Sequence, residues 1–341
     1  MDKPLIAVVD WKESPRGSKK CTVEREAIGR RAKIKYFECG DDDDWKGELL
    51  KADVILLWHN AAMPDTVINK LKNCKAIIRN GTGYDTVDVA AATHRDIAVC
   101  NVPDYGTDEV ADHSIALALA LCRQIIPIDK ECKKLGWEIP NKNKIQRFNQ
   151  LNFGVIGLGR IGTSVALKAK ALGFNVSFYD PYLSNGVDKS LAITRVKDFD
   201  EFISQMDVIS INCPLTEETH HMITKSEIDK MRKNAFIVNT ARGPIIKKGD
   251  LFKALRKEKI AGAALDVIED EPLKSFHEAR TPNLIVTCHS GFYSVQAAWE
   301  MRHKAACIAR SVVLGEEPEN CINSKMLPRR FLQDILTNER K

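Results

Sequence analysis

The sequence lacks the features that mark a membrane-spanning or secreted protein. Its most continuous apolar stretch, Ile115–Cys122, is far short of the ~20 residues that a helix needs to cross a bilayer. The apolar run in MDKPLIAVVD has charges on both sides and predicts a first β-strand rather than a signal peptide. The ten cysteines include no Cys-x-x-Cys pair and predict buried free thiols in a reducing compartment. We therefore expect a cytoplasmic protein, and a nuclear address stays open.

Charge of one sign is not concentrated in any way that suits nucleic acid. The net charge of +5 is spread along the chain, and no block of Lys and Arg is interleaved with aromatic residues. One acidic run, Asp41–Asp44, is expected to be a solvated loop, with a cation site as the weaker alternative. We expect no nucleic acid, no membrane and no metal among the partners.

What the 341 residues do contain is a repeated alternation of short apolar runs and helix-length amphipathic segments. Such alternation predicts an α/β fold in which parallel sheets are covered by helices on both faces. The length favours two domains over one ordinary core. Strands are predicted at Leu5–Val9, Val54–Leu57, Ala76–Arg79, Ala98–Asn101, Phe153–Ile156, Asn175–Tyr179, Val208–Asn212, Ala235–Asn239, Gly262–Asp266 and Leu284–Thr287.

The series of β-α units is interrupted once in the middle of the chain. The first series ends at Asn101-Val102-Pro103, and a long Ala- and Leu-rich helix is predicted over residues 107–135. A polar stretch, Asn141–Gln150, follows this helix, and a second series of β-α units begins at Phe153. The interruption predicts one lobe on each side of it.

The segment after Trp299 reads as a helix that belongs to no further strand. We expect it to return to the first domain and to leave a cleft between two Rossmann-like or flavodoxin-like lobes. The predicted division is a substrate domain of residues 1–102 plus 304–341 and a nucleotide-binding domain of residues 103–303.

The strongest local signal is the spacing Gly157-x-Gly159-x-x-Gly162, directly after an apolar strand and at the head of a predicted helix. The first glycine permits the tight turn, the second lets the backbone approach a pyrophosphate, and the third lets helix and strand pack closely. The helix N-terminus, with Arg160 and Ile161 in its first turn, offers unpaired N–H groups to the anion. This context predicts a dinucleotide site.

Asp180 ends the next predicted strand at about the ~20-residue distance expected of a ribose-binding acid. A carboxylate at that position accepts hydrogen bonds from the ribose hydroxyls and repels a 2′-phosphate, which favours NAD over NADP. The alternative interpretation is a turn residue before Pro181.

Three ionisable residues, Arg242, Glu271 and His289, follow later strands, where open α/β sheets place their chemistry. Reduction of a 2-keto acid needs a cation that holds the carboxylate, a role that the forked guanidinium fits. It also needs a proton donor, which His supplies, and a neighbouring carboxylate that orients the ring and raises its pKa. Taken singly, each has another interpretation: a loop-capping Arg, a turn Glu before Pro272, or a structural His.

Further motifs extend over nearly the whole chain. They are Asn80-Gly-Thr-Gly-Tyr-Asp-Thr-Val-Asp88, the Gly157–Gly162 loop, Pro214-Leu-Thr-Glu-Glu-Thr219, Asn239-Thr-Ala-Arg-Gly243, Ala263-Ala-Leu-Asp-Val267, Glu271-Pro272 and His289. In these motifs the sequence resembles the D-isomer-specific 2-hydroxyacid dehydrogenases. The resemblance implies that the matching Arg, Glu and His form the catalytic set. It also implies a split substrate domain and a homodimer formed through the nucleotide domain.

Within that family the sequence most resembles the C-terminal-binding-protein branch, through Cys21-Thr-Val-Glu24, Phe178-Tyr-Asp-Pro-Tyr-Leu183 and Tyr293-Ser-x-Gln-Ala297. Two departures matter. The animal members of the branch carry Trp where this chain has Phe292, so their substrate preference does not transfer. The Pro214–Thr219 motif also looks more like the metabolic enzymes than like the corepressors.

The resemblance implies further site residues. It places Arg79, Gly81 and Thr82 at the substrate carboxylate or nicotinamide, Asp266 at the carboxamide, and Cys213–Leu215 on the adenosine side. The expected cofactor-binding residues are Thr82, Gly157, Gly159, Arg160, Ile161, Gly162, Asp180, Cys213, Pro214, Thr219, Thr240, Ala241, Arg242, Asp266, His289 and Gly291. The expected substrate-binding residues are Arg79, Gly81, Thr82, Arg242, His289 and Phe292.

Two functions compete at this point. The first is an NAD-dependent D-2-hydroxyacid dehydrogenase acting on glyoxylate, hydroxypyruvate, phosphoglycerate or a related small acid. The second is an NAD(H)-sensing, dimeric, corepressor-like interaction protein. A hydrophobic peptide groove in the N-terminal lobe would distinguish the second, and the residues of that lobe do not reveal one. We expect the enzyme.

Overall fold

The computed structural model describes residues 3–12, 17–58, 61–139 and 145–327. The chain divides into two compact units, of which the first is Met1–Gly106 with Ser294–Lys341 and the second is Thr107–Tyr293. In the described residues each unit contains one parallel sheet, of five strands in the first and seven in the second. The predicted α/β class with two parallel-sheet lobes is confirmed.

The elements follow the chain in order. The first unit contributes β1 (Leu5–Trp11), α1 (Thr22–Ile28), β2 (Lys33–Cys39), β3 (Val54–Leu57), α2 (Asp65–Ile68), β4 (Ala76–Arg79), α3 (Val89–His94) and β5 (Ala98–Asn101). The second contributes α4 (Thr107–Cys122), α5 (Ile125–Cys132), β6 (Asn152–Ile156), α6 (Arg160–Ala171), β7 (Asn175–Tyr179), α7 (Val187–Leu191), β8 (Thr194–Arg195), α8 (Phe199–Gln205), β9 (Val208–Ile211), α9 (Lys225–Lys230), β10 (Phe236–Asn239), α10 (Lys248–Arg256), β11 (Gly262–Leu265), α11 (Phe276–Ala279) and β12 (Leu284–Val286). Helix α12 (Val295–Val313) then belongs to the first unit.

The first unit has the strand order β2-β1-β3-β4-β5. Its central strands are buried along their whole length, as parallel strands covered on both faces must be. Helix α12 packs on β3 and β4 and is tied to α1 by a buried ion pair, in which Arg302 donates two hydrogen bonds of 2.7 Å to Glu24. The whole of α12 therefore lies in this unit, and the unit boundary falls before the predicted position at residue 304.

The second unit has the strand order β12-β11-β10-β9-β6-β7-β8. All strands are parallel, but β7 and β8 lie on one side of β6 and the later strands, from β9 on, lie on its other side. Alternate residues of its strands enter two different hydrophobic clusters: Phe236 and Val238 lie in one, and Ile237 in the other. Helices therefore cover both faces of the sheet. In open sheets of this kind the ligand lies beyond the carboxyl ends of the strands where the order reverses.

Two strands were missing from the sequence-based prediction, and one predicted helix was wrong. Strand β2 lies at the sheet edge and is half-exposed, and β8 has two residues, so neither shows a continuous apolar run. The helix predicted over residues 107–135 is broken, because Gln124 has a left-handed backbone with a φ of 52°. Among the described residues no single helix is long and apolar enough to cross a membrane; α4 and α5 pass that test only as a pair bent by 57°.

Candidate active site

The three glycines of the loop between β6 and α6 meet three different steric demands. Gly157 has a φ of +82°, and a Cβ there would lie 2.8 Å from the backbone of Cys213. At Gly162 a Cβ would collide with the carbonyl oxygen of Gly157. By contrast, a Cβ at Gly159 would meet nothing within 4 Å. Packing therefore requires Gly157 and Gly162, while Gly159 faces open space into which a pyrophosphate fits.

Helix α6 begins at that open space. Gly159 is its N-cap residue and makes no side-chain capping bond, so the first N–H groups of the helix are left to other acceptors. Arg160 and Ile161 form the first turn. The helix dipole and these N–H groups favour an anion, so the residues present fit the phosphates of a dinucleotide.

Asp180 lies beside this loop. Its Oδ2 accepts a hydrogen bond of 3.0 Å from the N–H of Leu158, and its Oδ1 accepts one of 3.0 Å from the N–H of Tyr182. Sequence reasoning missed Arg195 of β8, whose guanidinium donates to the carbonyls of Asp180 and Leu183 at 2.8 and 2.9 Å. Arg195 thereby fixes the turn that presents the Asp180 carboxylate.

The segment after β9 forms a compact loop stabilised by Thr219. The Thr219 hydroxyl donates to the carbonyl of Pro214 at 2.7 Å and accepts from the N–H of Thr216 at 2.8 Å. Cys213, at the start of the loop, is buried, and this burial raises the pKa of its thiol to about 12. At neutral pH Cys213 is therefore a neutral wall residue next to Gly157.

The loop that carries Arg242 is shaped by the side chain of Asn239 at the end of β10. The Asn239 amide accepts from the N–H of Ala241 at 3.0 Å and donates to the carbonyl of Arg242 at 2.9 Å. The Thr240 hydroxyl is 2.6 Å from that of Ser114 in α4. A Cβ at Gly243 would collide with the backbone of Ile268 and Glu269, which places this loop directly against the segment after β11.

His289 and Glu271 form a hydrogen-bonded pair. The Nδ1 atom of His289 lies 3.0 Å from Oε2 of Glu271, and Oε1 of Glu271 accepts a hydrogen bond of 3.3 Å from the N–H of Ile268. His289 has a left-handed backbone with a φ of 53°, and its N–H donates to the carbonyl of Asp266 at 2.8 Å. Because the carboxylate engages Nδ1, it sets the orientation of the ring.

Asp266 organises the backbone around this pair. It accepts hydrogen bonds from the Thr287 hydroxyl and from the N–H groups of Ser290 and Gly291 at 2.6, 2.9 and 2.8 Å. Nε2 of His113 lies 3.5 Å away. Burial alone would raise the pKa of Asp266, but these hydrogen bonds outweigh it and hold the pKa well below its usual range.

The carboxamide contact predicted for Asp266 stays a prediction, as do the other roles of the predicted site residues. His113 and Thr287, which the sequence did not single out, share a hydrogen bond of 3.0 Å. His113 comes from α4, far away in the sequence, so no local pattern could have revealed it. Phe292 stands against Tyr293, with ring centroids 6.4 Å apart.

Arg79, Gly81 and Thr82 lie in the first unit, after β4, whereas the other predicted site residues lie in the second. The Gly81 carbonyl accepts from the N–H of Val102 at 3.0 Å, and the Thr82 carbonyl accepts from the amide of Asn101 at 2.7 Å. A Cβ at Gly81 would collide with the Arg79 guanidinium, so glycine allows the arginine to lie over its own loop. The end of β5 thus holds the loop of β4 in place.

Comparisons with known proteins show the family of the chain. The family model described as "D-isomer specific 2-hydroxyacid dehydrogenase, NAD binding domain" matches residues 115–291. The chain is 38% identical to D-3-phosphoglycerate dehydrogenase of Methanocaldococcus jannaschii over an alignment that covers 84% of this chain and 55% of that protein. It is 31% identical to C-terminal-binding protein 1 of Caenorhabditis elegans over an alignment that covers 96% of this chain and 46% of that protein. The chain thus spans about half the length of these relatives.

The fold is also similar to that of a solved structure, D-lactate dehydrogenase from Aquifex aeolicus complexed with NAD and lactic acid. The TM-score is 0.80 at 26% identity, and the match covers 91% of this chain and 96% of that one. The matched domain binds NAD, so the predicted cofactor is confirmed. The chain belongs to the D-isomer specific 2-hydroxyacid dehydrogenase family.

Proposed function

We propose that this protein interconverts a small 2-keto acid and its D-2-hydroxy acid by hydride transfer with NAD. The observation that carries the proposal is the 3.0 Å contact between His289 and Glu271, in the same unit as the glycine loop. A ring nitrogen oriented by a carboxylate is suited to deliver a proton near neutral pH. The second unit therefore contains both the dinucleotide loop and the residue that we propose as proton donor.

The proton is handled by His289. Its Nδ1 is engaged by Glu271, and we assign to Nε2 the proton that passes to the carbonyl oxygen during reduction and returns during oxidation. Glu271 keeps the ring in one orientation, as a carboxylate does for a histidine base in other enzymes. The His289 backbone is left-handed, and its N–H is bound to the Asp266 carbonyl. This conformation sets the direction in which the side chain leaves the backbone.

Arg242 supplies the positive charge. Its guanidinium is partly buried and donates to the Ala241 carbonyl at 2.7 Å, which uses Nη1 and holds the group close to its own loop. The planar fork fits a 2-keto acid, whose carboxylate and carbonyl oxygens lie side by side. Bound NAD supplies the hydride acceptor. The chain contributes the glycine loop for the phosphates and Asp180 for the ribose hydroxyls.

The proposed substrate class is supported by the names of the relatives. D-3-phosphoglycerate dehydrogenase and D-lactate dehydrogenase are among the similar proteins, and the names of both refer to small D-2-hydroxy acids. The test is to mix the protein with NADH and a panel of glyoxylate, pyruvate, hydroxypyruvate and 3-phosphohydroxypyruvate and to follow the absorbance of the reduced nicotinamide. Oxidation that depends on one acid supports the proposal and identifies the substrate.

His289→Asn is the decisive variant, and His94→Gln, at an exposed position of α3, is the matched control. We expect His289→Asn to lower kcat by roughly 100-fold or more, because proton transfer is lost. NADH binding, measured by its fluorescence, should be retained in both variants. Tight NADH binding by the wild type without turnover of any acid would refute the enzyme and favour the dinucleotide-sensing alternative.

We also propose that the protein is a cytoplasmic homodimer. Two large apolar side chains that follow α5 support the dimer: Leu135 is 97% exposed and Trp137 is 91% exposed. Large apolar side chains this exposed are unfavourable in water, and apolar surface patches often mark interaction sites. Light scattering of the wild type and of Trp137→Ser tests the dimer. We expect the wild type to have the molar mass of two chains in solution and the variant to have a lower one.

A further inference from the structure

Cys100 and Cys321 face each other across the edge of the five-stranded sheet. Cys100 belongs to the edge strand β5, and Cys321 pairs with it in an isolated antiparallel bridge. The two residues are far apart in the sequence, and the C-terminal segment is what brings them together. Nothing in the proposed reaction uses either thiol.

The segment around Cys321 is fixed by its own hydrogen bonds. The N–H of Ile322 donates to the carbonyl of Val99 at 2.7 Å, and the N–H of Val99 donates to the side-chain oxygen of Asn323 at 2.9 Å. The Asn323 amide, which is fully buried, donates to the carbonyl of Ile97 at 3.0 Å. Cys321 is therefore held opposite Cys100 without any need for the chain to move.

The hydrogen-bond pattern identifies the kind of pair. The bond from Ile322 to Val99 joins the residue after Cys321 to the residue before Cys100, so the two cysteines form a non-hydrogen-bonded antiparallel pair. In such pairs the Cα atoms lie about 4.5 Å apart and the side chains are close. Disulfides take Cα separations of about 4.4–6.8 Å, so this register permits one.

The two thiols also differ in reactivity. The interaction between the two thiols lowers the pKa of Cys321 and raises that of Cys100, which burial raises further. Cys100 is fully buried, whereas Cys321 is partly exposed. Cys321 is therefore the thiol that an oxidant in solution reaches first.

We propose that Cys100 and Cys321 are a redox modification site, at which a peroxide forms a disulfide that joins the C-terminal segment to β5. The Cys321 thiol loses its proton, and the thiolate attacks one oxygen of hydrogen peroxide. The O–O bond breaks, the leaving hydroxide takes up that proton, and a sulfenic acid and water result. The Cys100 sulfur then attacks the Cys321 sulfur, its proton passes to the leaving hydroxyl, and a second water departs. Two thiols are oxidised and one peroxide is reduced to two waters.

The consequence for the molecule is a covalent link where hydrogen bonds and the packing of Ile322 hold the segment. Strand β5 continues into Asn101 and Val102, which hold the loop of Gly81 and Thr82. The disulfide closes a long loop of chain and so restricts the unfolded state. We expect the oxidised protein to melt at a higher temperature than the reduced one.

The test is peptide mapping of the full chain after treatment with hydrogen peroxide. Remaining thiols are blocked in denaturant, and the protein is cleaved with trypsin, which places Cys100 in residues 96–123 and Cys321 in residues 311–325. We expect these two peptides to be joined, to separate on reduction, and to show the link at Cys100 on fragmentation rather than at Cys122 of the same peptide. Blocked Cys100 and Cys321, or Cys321 found only as sulfinic acid, would overturn the proposal.

A melting experiment is an independent check. Cys321→Ser should abolish the rise in Tm on oxidation, and Cys307→Ser, a half-buried cysteine of the same unit, should melt like the wild type. The variant is made at Cys321 because this cysteine is partly exposed, whereas a substitution of the fully buried Cys100 could prevent folding. An equal rise in Tm for Cys321→Ser and the wild type would contradict the proposal. Both readouts are independent of any dehydrogenase activity.

Discussion

Nε2 of His221 lies 2.6 Å from Oε1 of Glu269, and this contact joins the two segments on either side of the Arg242 loop. The N–H of His221 donates to the carbonyl of Pro244 at 2.8 Å, and a Cβ on Gly243 would collide with the N–H of Glu269. Glu269 also lies two residues before Glu271, the partner of His289. The pair thus borders both loops of the proposed catalytic set without belonging to it.

We expect His221→Ala to lower kcat by roughly tenfold to 100-fold, because small misplacements of a catalytic group are costly. NADH affinity should stay within about twofold, since the hydrogen bonds given for His221 in the described residues go to Glu269 and Pro244 and not to the glycine loop. Steady-state kinetics and NADH titration check this. His221→Gln, which keeps a donor, should recover part of the loss. Equal rates in the alanine variant and the wild type would remove His221 from any positioning role.

Asp180→Ala should raise the use of NADPH relative to NADH, because the variant no longer presents a negative charge to the 2′-phosphate. The ratio of kcat/KM values for the two cofactors is the measurement, and we expect a change of at least tenfold. Asp188→Ala in α7 is the control. An unchanged ratio would exclude Asp180 from the ribose site.

Arg195→Ala tests the support of that carboxylate. The guanidinium holds the carbonyls of Asp180 and Leu183, so its loss should loosen the turn and weaken NADH binding several-fold. The maximal rate at saturating NADH should change little, because Arg195 holds the turn and not the reacting groups. A fall in kcat with unchanged NADH affinity would contradict this interpretation.

Arg242→Lys should lower kcat/KM for the keto acid by about 100-fold or more, although the charge is kept. A point charge cannot reproduce the two parallel hydrogen bonds of the guanidinium fork. Arg232→Lys is the matched control, since Arg232 pairs with Asp207 at 3.0 Å in the same unit but outside the proposed site. Kinetics with the best acid of the panel measure both, and equal losses would mean that the effect is not local.

The parts of the molecule that sequence reasoning predicted are those in which local pattern and buried position agree. Strands β3, β4, β5 and β7 have the predicted bounds. The first three are short runs buried along their whole length, and β7 alternates buried and more exposed residues with the period of a strand. The glycine spacing was also readable, since Gly157 and Gly162 are required by the packing of their own turn and Gly159 faces open space beside it. Strand β2 could not be read in this way, because a half-exposed edge strand alternates apolar and charged residues like many loops.

The supporting residues of the candidate site were not predictable, because they act across long distances in the chain. His113 reaches Thr287 and Asp266 from α4, and Arg195 reaches Asp180 from a two-residue strand. His221 finds Glu269 only when the loops after β9 and β11 are placed side by side. None of these pairs leaves a motif in the sequence, since each depends on how separate segments of the chain come together in the fold.

Asp266 makes the unit sensitive to acid, and the sign follows from its lowered pKa. A carboxylate whose pKa is lower in the folded state stabilises the fold above its unfolded pKa of about 3.9, and this stabilisation is lost as the pH falls toward the folded pKa. We therefore expect Asp266→Asn to melt below the wild type at pH 7, with a gap in Tm that narrows steadily below about pH 4. Thermal melts from neutral to acidic pH measure it, with Asp43→Asn, an exposed carboxylate, as the control. A gap that stays constant down to the acid transition would mean that Asp266 stabilises the fold by packing alone.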